Sequence, residues 1–185
     1  NGPSRRISVI AKSAHQHYLH LLSLKQQTGQ MIISGFEGTS LNASTEELIV
    51  QQGIGGLIIF ERNYKNPDQL QQLINDLQSL MTDNPELPSL FISVDQEGGR
   101  VARLGSPFTQ FPPMSCLGKA NSNELAYRFG LGMGKELRAV GVNMDYAPVL
   151  DVHSNFKNPI IGHRALDSNT EKVARLGAEL VRGFY

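Results

Sequence analysis

Residues able to do chemistry gather at the end of one apolar stretch, residues 90–104, which reads LFISVDQEGGRVARL. Asp95 ends the apolar part, and Arg100 and Arg103 follow in the same polar segment. A carboxylate accepts hydrogen bonds from hydroxyl groups, and a guanidinium group donates them to hydroxyl or acyl oxygens. Together these groups are suited to holding a carbohydrate, provided that the fold brings them onto one ligand.

Acidic residues also follow the other apolar runs of the chain. They are Glu37, Glu61 and Asp151, with Glu97 close behind Asp95. The carboxyl ends of parallel strands form the functional face of α/β proteins. We therefore expect these acids to collect on one rim. The alternative for any single one of them is a solvated structural role.

The elements that must position these residues alternate regularly between short apolar runs and amphipathic helical patterns. Such alternation predicts a parallel sheet with right-handed crossovers. The predicted strands are residues 31–36, 55–60, 90–95 and 142–147, and the predicted helices span about 44–52, 67–84, 122–140 and 170–184. These four strand-helix units fit either a doubly wound open sheet or half of a (β/α)8 barrel, which needs about 250 residues.

Two further features concern the connections and the helix packing. Residues 96–118 predict a long segment without regular structure, and such segments inside compact domains are usually functional. Gly130, Gly132 and Gly134 interrupt the predicted helix 122–140. Each glycine costs a helix about 1 kcal/mol relative to alanine, so their presence indicates that a neighbouring element approaches closely.

Composition excludes several classes of protein. The 185 residues include 17 basic and 17 acidic side chains, so no net positive charge attracts nucleic acid. No apolar run approaches the roughly 20 residues of a membrane span. The single cysteine, Cys116, excludes an internal disulfide, and we expect a small buried or half-buried residue there. Residues 1–23 predict a tail or helix whose histidines, at 15, 17 and 20, form a solvated face rather than a metal site.

Three segments in register resemble glycoside hydrolase family 3, in particular its bacterial β-N-acetylhexosaminidase branch. They are VDQEGGRVARL at 94–104, AVGVNMDYAPVLDV at 139–152 and NPIIGHR at 158–164. The segment GLIIFERNYKNPDQL at 56–70 is similar to the same branch. The resemblance extends from about residue 24 to the end of the sequence.

The resemblance implies a (β/α)8 TIM barrel, with residues 24–185 forming the N-terminal half of the barrel domain. It implies removal of terminal β-linked N-acetylglucosamine with retention, through a covalent glycosyl-enzyme intermediate. Asp95, Arg103 and Arg164 take the positions that bind the terminal sugar, whereas Arg100 takes one that braces its loop. No metal or organic cofactor is implied.

The resemblance places the catalytic residues beyond residue 185, because the family's acid/base histidine and nucleophilic aspartate follow later strands. Retaining glycosidases need both groups around the glycosidic bond, so we expect the 185-residue chain to be inactive by itself. Four strands cut from a barrel also leave open sheet edges. We expect the chain to pack against its missing half or to self-associate.

Two other functions remain open alternatives. One is a β-glucosidase-type hydrolase of the same family, and the other is a non-catalytic carbohydrate-binding remnant. The natural glycan also stays open between peptidoglycan fragments, chitin oligomers and others. The compartment is undetermined, with the cytoplasm slightly favoured over the periplasm and the exterior.

Overall fold

The computed structural model describes residues 22–185. The predicted tail or helix of residues 1–23, with its three histidines, therefore lies almost entirely outside the described residues. Along residues 22–185, no helix combines the length and the apolar character that crossing a membrane requires.

The main sheet contains four parallel strands in the order in which the chain makes them. They are β1 (Ile33–Ser34), β2 (Gly56–Ile59), β3 (Phe91–Val94) and β6 (Met144–Asp145). Two short strands between β3 and β6, β4 (Gln96–Gly98) and β5 (Val101–Ala102), form a separate hairpin. A doubly wound sheet reverses its strand order at one point, and this sheet does not. The sequential order confirms a barrel-type α/β fold, and within the described residues the sheet is not closed.

The two central strands are completely buried on one face. Leu57 and Ile59 of β2 and Ile92 and Val94 of β3 have no solvent exposure. The register pairs Leu57 with Ile92 and Ile59 with Val94. These four side chains share one face, whereas on the other face Ser93 is buried, Ile58 is half-buried and Phe91 is 55% exposed, so the described residues cover the second face only in part.

The outer strands are shorter than the sequence predicts. Of residues 142–147 only Met144–Asp145 pair as a strand, because the side chain of Asn143 replaces the backbone ladder before it. The Asn143 side-chain oxygen accepts from the Ile92 backbone N–H at 2.8 Å, and its Nδ2 donates to the Leu90 carbonyl at 3.0 Å. At the other edge, Met31 is exposed and lies outside β1.

Six α-helices surround the sheet within residues 22–185. They are α1 (Leu24–Gly29), α2 (Ala43–Val50), α3 (Pro67–Asp83), α4 (Met114–Ala120), α5 (Asn123–Ala139) and α6 (Thr170–Phe184). Polar caps set their starts: the side chains of Asn42, Asn66, Ser122 and Asn169 each accept a hydrogen bond from a backbone N–H of the first turn. The predicted helices therefore agree with the structure to within one or two residues.

The prediction that residues 96–118 lack regular structure is wrong. This segment contains an antiparallel hairpin of β4 (Gln96–Gly98) and β5 (Val101–Ala102), and it ends in α4. The turn is possible because Gly98 and Gly99 adopt positive φ angles of 90° and 62°. The Gln96 side-chain oxygen fixes the hairpin base by accepting from the N–H groups of Arg103 and Leu104 at 2.8 and 3.1 Å.

The prediction of a buried or half-buried Cys116 is also wrong, since Cys116 is exposed. Helix α4 buries Met114, Leu117 and Gly118, which share one face at helical spacing. Cys116 lies on the opposite face. The sequence did not predict a helix at residues 114–120. Without a helical period, the buried and exposed sides of this segment could not be told apart, and Cys116 could not be placed on either.

The glycine-rich stretch of α5 does pack closely against its neighbours, as predicted. A Cβ atom on Gly130 would overlap the Leu180 carbonyl of α6, and one on Gly134 would lie 3.2 Å from the Cα of Phe184. A Cβ on Gly132 would lie 3.2 Å from the ring of Phe111. The absence of side chains lets α5 and α6 approach to backbone contact.

Candidate functional site

Charged side chains from several loops meet at the carboxyl ends of the strands. Asp95 directly follows β3, Glu97 lies in β4, and Arg103 follows β5. Arg164 comes from a 3-10 turn, Gly162–Arg164, in the segment after β6. The structure thus brings all three residues of the predicted sugar-binding set to one rim.

Arg103 is held loosely by the acids around it. Its Nη2 lies 3.5 Å from Asp95 Oδ2, and its Nη1 lies 3.9 Å from Glu61 Oε1. Charge-assisted hydrogen bonds are usually about 2.7–2.9 Å long, so neither contact saturates its partners. The Arg103 and Asp95 side chains retain 28% and 27% exposure, and Arg103 Nε has no hydrogen-bond partner among the described residues. Both groups can therefore bond to a ligand.

Arg164, in contrast, is held tightly by Glu97. Its Nε and Nη2 donate to the two carboxylate oxygens at 2.8 and 2.7 Å, which is the bidentate geometry typical of arginine. The Glu97 side chain is only 4% exposed. Hydrogen bonding to Glu97 raises the pKa of Arg164 above its ordinary value, and the charges of Glu97, Asp151 and Asp95 act in the same direction.

The pairing fixes which part of Arg164 can meet a ligand. Nη1 donates to the Ile160 carbonyl at 3.2 Å, and the side chain as a whole remains 23% exposed. The sequence placed Glu97 on the rim but did not identify it as the partner of Arg164. No local signal connects the two residues, because they lie 67 positions apart.

Arg100 braces the segment that carries Arg164. Its Nη2 donates to the Pro159 carbonyl at 3.0 Å and also to the Ile160 carbonyl. Arg100 was expected to brace the loop that carries it, and in the structure its hydrogen bonds go instead to a distant segment of the chain. The β4–β5 hairpin therefore contacts residues 159–164 at two points, through the hydrogen bonds of Arg100 and through the ion pair of Glu97 with Arg164.

Asp145 is a half-buried acid of the rim that the sequence did not single out. Its Oδ1 accepts the Gln96 backbone N–H at 3.0 Å, while the buried Oδ2 has no partner among the described residues. Burial raises the pKa of Asp145 to about 7, and the nearby charges of Asp95 and Glu97 add to the effect. The available signal was an acid inside the apolar run 142–147.

The arrangement suits a neutral ligand rich in hydroxyl groups. Asp95 offers an acceptor, Arg103 and the remaining N–H groups of the Arg164 Nη atoms offer donors, and all three side chains are partly exposed. Two further acids follow β1 and β2 on this rim. Glu37 pairs with Arg62 at 2.9 Å, and Glu61 lies 3.9 Å from Arg103. In the part of the chain that the structure describes, no group of three or more histidine, cysteine or acidic residues could hold a metal ion.

Several known proteins are similar to this chain in sequence and in fold. Residues 23–185 match the family described as "Glycosyl hydrolase family 3 N terminal domain". A curated relative, the Beta-hexosaminidase of Pseudomonas aeruginosa, is 36% identical over 149 residues, which cover 80% of this chain and 43% of that protein. The chain thus spans less than half the length of this relative.

Solved structures of the family superimpose on the chain. A family 3 β-N-acetylglucosaminidase from Paenibacillus sp. str. FPU-7 is 44% identical with a TM-score of 0.85, over 88% of this chain and 31% of that one. NagZ from Neisseria gonorrhoeae, solved in complex with N-trifluoroacetyl-D-glucosamine, is 33% identical with a TM-score of 0.75, over 83% of this chain and 45% of that one. The family match over residues 23–185 and these relatives show that the chain belongs to glycosyl hydrolase family 3, with its described fold lying in the family's N-terminal domain.

Proposed function

We propose that this chain is the N-terminal half of the barrel of a retaining β-N-acetylhexosaminidase, and that Asp95, Arg103 and Arg164 bind the terminal N-acetylglucosamine. The observation that carries the proposal is the convergence of these three partly exposed side chains on one rim. It is supported by a related structure that was solved with an N-acylated glucosamine and by a curated relative named Beta-hexosaminidase.

Each residue has a distinct part in sugar binding. Asp95 accepts hydrogen bonds from sugar hydroxyls, and Arg103 donates to hydroxyl oxygens from the same side of the rim. Arg164 donates from the N–H groups that Glu97 and Ile160 leave unused, in an orientation that Glu97 imposes through two hydrogen bonds. These contacts fix the position of the sugar ring, which is the part of catalysis that pre-organised binding supplies.

The chemical step belongs to residues outside this chain. A retaining mechanism needs an acid/base and a nucleophile on either side of the glycosidic bond. The family resemblance places a histidine and an aspartate for these roles after later strands of the barrel. The 185-residue chain therefore supplies substrate binding only.

The test compares the 185-residue chain with the full-length protein that contains it. We expect the full-length protein to hydrolyse p-nitrophenyl N-acetylglucosaminide, and the isolated chain to show no turnover. Both are purified in parallel from a host strain deleted for its own N-acetylglucosaminidases, with a mock purification as the blank. Turnover by the isolated chain above that blank would contradict the proposal.

The same assay separates the two alternative functions. Preference of the full-length protein for the corresponding glucoside would indicate a β-glucosidase-type enzyme. Binding of N-acetylglucosamine without hydrolysis of either substrate would indicate a non-catalytic carbohydrate-binding protein. Neither alternative has a specific observation in its favour.

A further inference from the structure

The charges of the rim do not balance within the described residues. Three carboxyl groups, those of Asp95, Glu97 and Asp145, lie near one another at the ends of β3, β4 and β6. Arg103 pairs with Asp95 and Arg164 pairs with Glu97. Asp145 has no ion-pair partner among residues 22–185, and its Oδ2 atom is buried without a hydrogen-bond partner there, although the residue as a whole is only half-buried.

Asp145 nevertheless occupies a position that controls the site. It lies opposite Val94 in the register of β6 and β3, beside the last residue before Asp95. Its Oδ1 accepts the backbone N–H of Gln96, which is the residue between Asp95 and Glu97. The side chain therefore fixes the start of β4, the segment from which both of these acids project.

We propose that Asp145 is a positioning residue for the sugar site, and that it holds the segment of residues 95–97 as a neutral, protonated carboxyl group. The proposal rests on the proposed function, because its consequence is the correct placement of Asp95 and, through Glu97, of Arg164.

The physical argument is the cost of burying a third negative charge. A buried carboxylate without a cation is strongly disfavoured, and Asp95 and Glu97 repel it further. Ionisation would strengthen the hydrogen bond from Gln96, which favours a lower pKa. The loss of water around the carboxyl group has the larger effect and raises the pKa of Asp145 to about 7. Tyr146 follows Asp145 directly after β6, and Asp145 itself lines a cavity of about 780 Å³ together with the titratable groups of Arg138 and Tyr185.

The sign of the pH dependence follows from this shift. The pKa of Asp145 is higher in the folded protein than the ordinary value of 3.8. Folding therefore favours the protonated form, and the associated stability is fully present below about pH 4 and is lost as the pH rises through about 7. Above pH 7, the ionised side chain repels the neighbouring carboxylates of Asp95 and Glu97, and this repulsion disturbs the segment that carries them.

The binding test measures the inhibition constant of N-acetylglucosamine against pH in the full-length protein, for wild type and Asp145→Asn. Asparagine keeps the oxygen that accepts from Gln96 but cannot ionise. In the wild type the constant should rise above pH 7, by at most about tenfold per pH unit, the limit for loss of one proton. In D145N this rise should be reduced several-fold. D145A, which lacks the acceptor, should bind more weakly at every pH.

An independent test needs no activity. Infrared difference spectra of the wild type between pH 6 and pH 9 should contain the stretch of a protonated carboxyl group, and the same difference for D145N should lack it. Asp83→Asn is the matched control, because Asp83 is an exposed acid at the end of α3. D83N should retain both the infrared band and the wild-type pH dependence of binding.

The outcomes are separable. Absence of the carboxyl band in the wild type overturns the proposal whatever the activity, and equal pH slopes for wild type and D145N overturn the positioning role. If the wild type fails to bind N-acetylglucosamine at every pH, the proposed function itself is overturned, and the role of Asp145 in it falls too.

Discussion

Arg103 and Arg164 are the same residue type on the same rim, yet their neighbours hold them very differently. Arg164 has two short hydrogen bonds to one buried carboxylate, whereas Arg103 lies 3.5 and 3.9 Å from two more exposed acids and 5.9 Å from the centre of the Phe60 ring. A tightly held guanidinium group presents a fixed edge and loses little entropy on binding. A loosely held one can move towards its ligand. We infer that Arg164 sets orientation and Arg103 adapts.

Replacement of Arg103 tests its contact with the sugar. Arg103→Ala in the full-length protein should raise KM for an aryl N-acetylglucosaminide by about ten- to hundredfold, the range for one or two charge-assisted hydrogen bonds. Arg128→Ala is the control, because Arg128 is exposed on α5 away from the rim, and its KM should stay within about twofold of wild type. An unchanged KM for R103A would exclude a direct role in binding.

Replacement of Glu97 tests the buried ion pair. Glu97→Gln keeps the side-chain shape but leaves Arg164 without its counter-charge. Breaking a buried pair costs about 3–5 kcal/mol, and we expect the lower end because Arg164 is 23% exposed. The measurement is urea unfolding of the full-length protein.

The matched control for that experiment is Glu37→Gln. Glu37 pairs with Arg62 at 2.9 Å, but both side chains are largely exposed. Exposed ion pairs contribute about 0–1 kcal/mol. Equal losses of stability in E97Q and E37Q would show that burial of Glu97 contributes nothing to the strength of its pair.

At the scale of elements, the β4–β5 hairpin is the part that joins the two halves of the site. Its Arg100 and Glu97 form hydrogen bonds with residues 159–164, and the Gln96 side chain fixes the base of the hairpin. The hairpin also sits directly between β3 and Arg103 along the chain. A shift of the hairpin would therefore move Asp95, Arg103 and Arg164 together rather than one at a time.

The packing of α5 against α6 gives a prediction at the same scale. Gly130→Ala would place a methyl group on the Leu180 carbonyl, which is backbone and cannot move aside without shifting a helix. Overpacking of this kind costs about 1–3 kcal/mol. Gly105→Ala is the control, because nothing lies within 4 Å of its added Cβ. Thermal unfolding should show a clear loss for G130A and almost none for G105A; equal melting temperatures would contradict the close approach.

The sequence is informative about elements with a clear period and much less about contacts between distant segments. The pattern of Leu70, Leu73 and Leu77 predicted α3, and continuous apolar runs predicted β2 and β3. The hairpin was missed because its strands have only three and two residues, too few to establish a period of two. The pairing of Glu97 with Arg164 and the burial of Asp145 depend on tertiary structure and leave no local trace.

The candidate site was recovered unevenly for the same reason. Asp95 and Arg103 are eight positions apart, and both could be placed in one loop from their spacing. Arg164 entered only through the family resemblance. Its geometry, above all the loss of two donor groups to Glu97, could be known only from the structure.

At the scale of the whole molecule, the described chain is an open sheet. Within residues 22–185, β1 and β6 each have a neighbouring strand on one side only. Unpaired backbone groups on such edges readily form hydrogen bonds with another chain. A cavity of about 780 Å³ lies beside β6, between Met144 and the C-terminal turn of α6. Both features favour association with a further strand-helix unit.

We therefore expect the isolated 185-residue chain to self-associate. Light scattering should give a mass above the 20.4 kDa of one chain, and the excess should disappear when the remaining part of the full-length protein is supplied as a separate polypeptide. A monomeric mass combined with one cooperative unfolding transition would contradict this expectation.

The long separation between Glu97 and Arg164 has a consequence for the order in which the site forms during folding. Asp95 and Arg103 close a loop of 8 residues, whereas Glu97 and Arg164 close one of 67. The entropy of loop closure scales as (3/2)RT ln n, which makes the longer closure about 2 kcal/mol more costly. On a ribosome the first pair can form soon after β5 has emerged, while Glu97 must wait for about 60 further residues. Until then the Glu97 carboxylate has no cationic partner from residue 164 and remains solvated. The site is complete only when the ion pair of Glu97 with Arg164 has formed.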